Sequence, residues 1–196
     1  MSSSNGLDWI EHGTIYTATS SGFESAEVIA PTVLFENGTW YMWYEADDAA
    51  QPGRRRVGLA TATNPINGPW IRRGIALNFF SPNTDEGSLL GTPAIAKVGT
   101  HYLLFYHGFS DKNGTARSAD RIFVAYANSP LGPWTKEGGN STPRPILDLG
   151  SGWECCKVAP SSVVVYGDRV MVFYEGWNGI QEHIINWQRG ESVLQK

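Results

Sequence analysis

The stretch VIAPTVLFENGTWYMWYEA, Val28 to Ala46, holds a proline, a short apolar run, an Asn37-Gly38 turn and a second apolar run closing on Tyr44. That pattern predicts a strand, a tight turn and a strand. The chain writes it twice more, as LLGTPAIAKVGTHYLLFYHG from Leu89 to Gly108 and KVAPSSVVVYGDRVMVFYEG from Lys157 to Gly176, with turns at Val98-Gly99 and Gly167-Asp168. The prolines Pro31, Pro93 and Pro160 are 62 and 67 residues apart, and the closing tyrosines Tyr44, Tyr106 and Tyr174 are 62 and 68 apart. A period this long, built of strands, predicts repeated sheets.

Two further elements share the period. A tryptophan element appears as DWIEHG at Asp8 to Gly13, PWIRRG at Pro69 to Gly74 and PWTKEG at Pro133 to Gly138. Between hairpin and tryptophan lies a third apolar run, VGLATA at Val57 to Ala62 and IFVAYA at Ile122 to Ala127. Four antiparallel strands per unit, repeated radially, make a β-propeller blade. The fold class is therefore all-β, with three blades along one array, residues 1–196: an orphan outer strand at 8–17, then blades at 23–78, 86–146 and 153–190. A sandwich has no reason to keep such a cassette in register, and a unit of about 60 residues alone would bury little core.

The third blade differs at its end. Tyr44 to Trp70 spans 26 residues and Tyr106 to Trp134 spans 28, but Tyr174 to Trp187 spans only 13. His183 to Arg189 is then the expected third strand, and the orphan at the N-terminus is the piece this blade lacks. Three blades do not close a ring, since rings need about four or more. Two completions stay open: the chain is a fragment of a longer propeller, or two copies meet head to tail, exchanging Asp8 to Thr17 to form a six-bladed homodimer.

Nineteen acidic against fifteen basic residues, without long runs, argue against nucleic acid or an anionic membrane as the partner. Eight tryptophans suit large sheets packed face to face. No apolar run reaches membrane-span length, and MSSSNG is short and polar for a signal peptide. As written the chain reads as cytoplasmic, or secreted had a leader been removed. The adjacent Cys155 and Cys156 make neither an ordinary bridge nor a zinc site and read as buried thiols. Arg54 to Arg56, in the loop AADDAAQPGRRR between second and third strands, read as a solvated loop tip.

The combination APTV with NGTWYMWYEA, followed by VGLATATNPINGPW, resembles the blades of the five-bladed propeller glycosidases, the clan of arabinanases, β-xylosidases and their mannoside-phosphorylase and invertase-like relatives. The resemblance covers residues 8 to about 190 and implies a small saccharide in a funnel at the propeller axis. Glycoside cleavage there needs one carboxyl to protonate the leaving oxygen and a second as base or nucleophile. In the arabinanase and xylosidase branch the essential acids stand directly before, or two before, an inner-strand proline. Here those positions hold Ala30, Thr92 and Ala159, and Ile29, Gly91 and Val158. None transfers a proton, so any such chemistry would need other carboxylates.

Glu24 and Glu86 lie seven residues before their prolines and Glu154 six, so acids recur in step and are the candidate catalytic residues. The alternative is a repeat-wide structural role. Glu27 and Asp85 are neighbouring candidates for substrate contact. Glu45, His107 and Glu175 share the position after the closing tyrosine. The resemblance implies a calcium near a histidine at this place; otherwise no metal or cofactor is expected. Trp153 and Trp177, in loops flanking the third hairpin, are candidate platforms for a sugar ring. Trp9, Trp70 and Trp134 recur in step and read as packing between blades. Arg121, Asp120 and His183 would add polar contacts. Two functions follow from these residues: a glycoside-hydrolase-like protein acting on an oligosaccharide, or a carbohydrate-binding propeller that has lost the acids.

Overall fold

The computed structural model describes residues 1–82, 84–110, 119–178 and 188–195, the last stretch as backbone. Its regular elements are strands: β1 (Glu27–Glu36), β2 (Thr39–Asp48), β3 (Gln51–Ala62), β4 (Ile71–Leu77), β5 (Leu89–Val98), β6 (His101–Ser110), β7 (Ala119–Ala127), β8 (Thr135–Lys136), β9 (Lys157–Tyr166), β10 (Arg169–Trp177) and β11 (Gln188–Gln195). One 3-10 turn, Gly152–Glu154, precedes β9. The fold is all-β. Part of His183 to Arg189 lies outside the described residues, and the strand pairing with β10 at this end is Gln188–Gln195.

Strands β1 to β4 form one sheet in chain order, and β5 to β11 form a second, with β8 on the edge of β7. The second sheet holds two antiparallel units, β5–β8 and β9–β11, joined by the single parallel pair Asp120 and Lys157. In the first hairpin Asn37 and Gly38 have φ of +48° and +76°, the left-handed pair of a two-residue turn that follows strand twist. The second turn falls at Gly99-Thr100, one residue later than Val98-Gly99, because Val98 still pairs with His101.

The prolines shape the inner strands. Proline has no N–H for the ladder, so each inner strand breaks register beside it, between Ile29 and Thr32, between Gly91 and Ala94, and opposite Phe173 and Tyr174. Ala30 and Thr92, just before their prolines, have φ of +47° and +42°. Such backbone costs non-glycine residues about 1–3 kcal/mol each and persists because the flanking ladder fixes it.

The units stack face to face. Trp43, Val57, Leu59 and Leu77 pack on Leu90, Leu104, Tyr106 and Phe123, with Trp43 and Trp134 edge to face at 6.0 Å. Ala94, Ala96 and Phe105 pack on Val170, Val172 and Val163. Alternation along each second strand sends the closing tyrosine toward the preceding unit and the residue after it toward the following one.

Four sequence expectations change. Residues 8–17 form no sheet strand; their one backbone pairing is Ser2 with Ile10. Instead Tyr16 and Phe23 pack on Met42, Tyr44 and Ala60, covering part of the outer face of the first unit. The long loop after β2 is a tight hairpin: Asp48 pairs with Gln51, and the cross-strand attraction of Arg55 for Glu45 and Asp47 keeps the strands together. Of the recurrent tryptophans, Trp134 is buried, Trp70 half-buried and Trp9 exposed. Cys155 and Cys156 form no disulfide and are half-buried rather than buried.

Candidate functional site

The three register breaks meet. Ala30, Pro31, Thr92, Pro93, Pro160 and Ser161, one break from each inner strand, line a single open depression of about 230 Å³, and Glu175 completes its wall. Here the strands turn their bulged backbone toward a common centre, as the repeated prolines require. The positions that the glycosidase resemblance marks for acids thus line the depression as Ala30 and Thr92, without carboxylates.

Beneath and beside it lies a charged network. Arg55 on β3 is held by Glu45, by Glu27 at 3.1 Å and by Asp47 at 3.6 Å. Glu45, nearly fully buried, also accepts the Thr92 N–H at 3.0 Å. The Thr92 hydroxyl and His107 Nδ1 stand 2.8 Å apart. Burial, with Lys157 and Arg55 nearby, pushes His107 down to about 3, so the imidazole is neutral. Asp120 pairs with Lys157 at 3.1 Å through one oxygen, while its other oxygen is buried without a hydrogen-bond partner. Burial raises the Asp120 carboxyl, Lys157 opposes this, and Glu45 and Glu175 add to it.

Arg55 is the residue that sequence reasoning missed. It was placed in a solvated loop tip, yet it sits on a paired strand among three acids. The available signal was the alternation Glu45, Asp47 on β2, which faces Arg55 once β2 and β3 are extended to a short turn.

Glu24, Glu86 and Glu154 do not line the depression. Each accepts a hydrogen bond from the closing tyrosine twenty residues later: Tyr44 to Glu24 at 2.7 Å, Tyr106 to Glu86 at 2.6 Å and Tyr174 to Glu154 at 2.5 Å. A cation from the outer strand joins the first two, Arg72 at 3.0 Å and Lys136 at 2.5 Å. Glu86 is wholly buried, out of reach of any solute. The recurrence belongs to a repeated clamp between the start of each unit and its second strand, extended to the fourth strand in the first two units. The tyrosines answer to it: burial first, then the neighbouring acid, raises Tyr174 to about 12 and Tyr106 well above its ordinary value.

The remaining candidates divide. Glu27 belongs to the Arg55 network, and His107 reaches the depression only through its contact with the lining Thr92. Trp153 is half-buried, stacks on Tyr174 with ring centroids 5.6 Å apart and covers Gly176. Trp177 is half-buried at the end of β10, and Arg121 pairs with Asp148 at 2.6 Å. Asp85 is exposed, away from the lining residues. His183 lies outside the described residues. Among the described residues no three His, Cys, Asp or Glu side chains gather as metal ligands.

No known family profile matches the chain. It is 26% identical over 174 residues to an extracellular exo-α-(1→5)-L-arabinofuranosidase of Streptomyces avermitilis, a match covering 86% of this chain and 33% of that protein. It is 30% identical over 135 residues to α-L-arabinofuranosidase 43 of Humicola insolens, covering 68% of this chain and 26% of that protein. The chain therefore spans about a third or less of the curated relatives it matches. Among solved structures, a family 117 glycoside hydrolase from the marine bacterium Zobellia galactanivorans superposes with a TM-score of 0.74 at 20% identity, over 93% of this chain and 57% of that one. The fold is that of propeller-type glycosidases.

Proposed function

We propose that the chain is a glycoside-hydrolase-like propeller array that takes a saccharide into the axial depression. The observation that carries this reading is the meeting of three repeat-related bulges around one polar hollow with Glu175 in its wall. A hollow of about 230 Å³ suits a single sugar ring, with the Thr92 and Ser161 hydroxyls and the Glu175 carboxylate as partners for sugar hydroxyls. The similarity to two arabinofuranosidases supports a pentofuranoside as the first ligand to try.

On this reading the three units are consecutive blades of a ring that further blades complete. Glycoside cleavage needs two carboxyls on opposite sides of the bond. The lining supplies one, Glu175, so the second reading, a saccharide-binding array without turnover of its own, is favoured for the chain alone.

Calorimetry with arabino-, xylo- and galacto-oligosaccharides, alongside hydrolysis assays on the corresponding nitrophenyl glycosides, tests both readings. Binding that Glu175→Gln weakens at least tenfold, without turnover, supports the binding reading. Turnover abolished by Glu175→Gln supports the enzyme. Absence of binding by any of these sugars overturns both.

A further inference from the structure

Resting on the reading of the units as blades, we propose that the open face of the third blade docks a further blade whose inner strand reads Gly-X-Pro, and that this chain's own first blade is not that partner. On β10, Val170, Val172 and Tyr174 are buried toward the second blade, while Met171, Phe173, Glu175 and Trp177 alternate with them and are only partly covered. Val164 and Tyr166 on β9 are 45% and 72% exposed. The face is largely apolar, with Arg169 at its turn end and one carboxylate, Glu175, at its axial end.

The two internal junctions define what this carboxylate needs. At the first, Glu45 reaches across to the Thr92 N–H of the next blade at 3.0 Å. Gly91 leaves the passage open; a Cβ there would lie 2.2 Å from Glu45 Oε2 and 2.6 Å from Cε1 of His107 in its own blade. At the second junction the position two before the proline is Val158, and the residue after the closing tyrosine is His107, which turns to Thr92 of its own blade at 2.8 Å. A reaching carboxylate goes with glycine, and a side chain goes with a group that stays within its blade. Glu175 is of the reaching type, so its partner blade carries glycine two before its proline.

The first blade of a second copy fails this requirement. Ile29 stands in the glycine position, and its outer face is already covered by Tyr16 and Phe23. Exchange of residues 8–17 fails for a different reason. The residue two after the outer-strand tryptophan is the cation of the clamp, Arg72 on Glu24 and Lys136 on Glu86. Counted from Trp9 it is Glu11, which would oppose Glu154 with like charge.

Light scattering on a sizing column tests this with the unmodified chain, Tyr16→Ala, Ile29→Gly, the double variant, and the double variant with Glu175→Gln, each checked for a cooperative thermal transition. The expected mass is 21.5 kDa for the unmodified chain and both single variants. It is twice that for the double variant, whose glycine gate and outer face are both open, and 21.5 kDa again with Glu175→Gln. A stable dimer of the unmodified chain, dimerisation by Tyr16→Ala alone, or a folded double variant that stays monomeric overturns the proposal. Failure of sugar binding changes none of these masses, so the functional reading and the docking rule fail separately.

Discussion

Glu45 on β2 accepts a hydrogen bond from the backbone N–H of Thr92 on β5 at 3.0 Å, and the same carboxylate is held by Arg55. One buried acid thus ties a strained inner-strand bulge to the neighbouring unit and to the charged network under the depression. Gly91 is the residue that makes room for it.

Gly91→Ala therefore forces the Glu45 carboxylate, the His107 ring or the β5 backbone to move, at a cost of about 1–3 kcal/mol, the usual range for overpacking. Urea unfolding measures it. In a Glu45→Ala background the added methyl meets less, so the double-mutant cycle gives a coupling well outside additivity. Equal costs in both backgrounds would mean that the junction does not depend on this contact.

Lys136 and Glu86 form an ion pair 2.5 Å long whose side chains are 4% and 0% exposed. Removing one partner leaves a charge in a dry site, so Lys136→Met is expected to cost about 3–5 kcal/mol. Adding Glu86→Leu, which removes the stranded charge, restores a large part of that loss in thermal unfolding. A single variant as stable as the unmodified chain would show that the clamp is dispensable.

The overall repeat was legible because it rests on local chemistry: prolines that break ladders, glycine turns and closing tyrosines, each readable within one hairpin. The roles of the acids were not, because Glu24 and Tyr44 meet across twenty residues and a catalytic acid and a clamping acid recur with the same period. Arg55 was hidden by composition: Pro52-Gly53 and three arginines look like a loop tip until the pairing of Asp48 with Gln51 is known. Residues 8–17 carry the tryptophan signature of an outer strand, yet what holds them is Tyr16 against Tyr44, a tertiary contact no spacing announces.

His107 gives the fold a pH dependence. Its imidazole titrates near 6.5 when free and is pushed down to about 3 here, by burial first and then by Lys157 and Arg55. Between those values the unfolded chain binds the extra proton, so stability rises with pH, by up to about 1.4 kcal/mol per unit. The contribution is complete above 6.5 and lost as the pH falls toward about 3. Asp120, raised by burial, opposes this at the acidic end. His107→Gln keeps a partner for Thr92 and flattens the slope of unfolding free energy in that window. An unchanged slope would place the dependence on other groups.

Tyr16 fastens the N-terminal segment to the first unit through several bonds at once. Its hydroxyl stands 2.7 Å from the Tyr44 hydroxyl and 3.1 Å from Glu24, with one proton to share between them, Arg72 lies over its ring at 4.3 Å, and Arg72 donates to the Thr17 carbonyl at 2.8 Å. Burial is the main cause that raises the Tyr16 hydroxyl to about 12, so it remains a donor throughout the physiological range. Tyr16→Phe loses the shared hydroxyl donor but keeps the ring under Arg72, a loss of about 1 kcal/mol for a neutral hydrogen bond and more where the acceptor is charged. Arg72→Ala removes the ring contact, the Thr17 bond and the cation on Glu24 together, so it releases the segment further. Limited proteolysis within residues 1–24 reads the order: slowest for the unmodified chain, faster for Tyr16→Phe and fastest for Arg72→Ala. Equal cleavage rates in all three would mean that the segment is held elsewhere, by Phe23 and the apolar contacts to Met42.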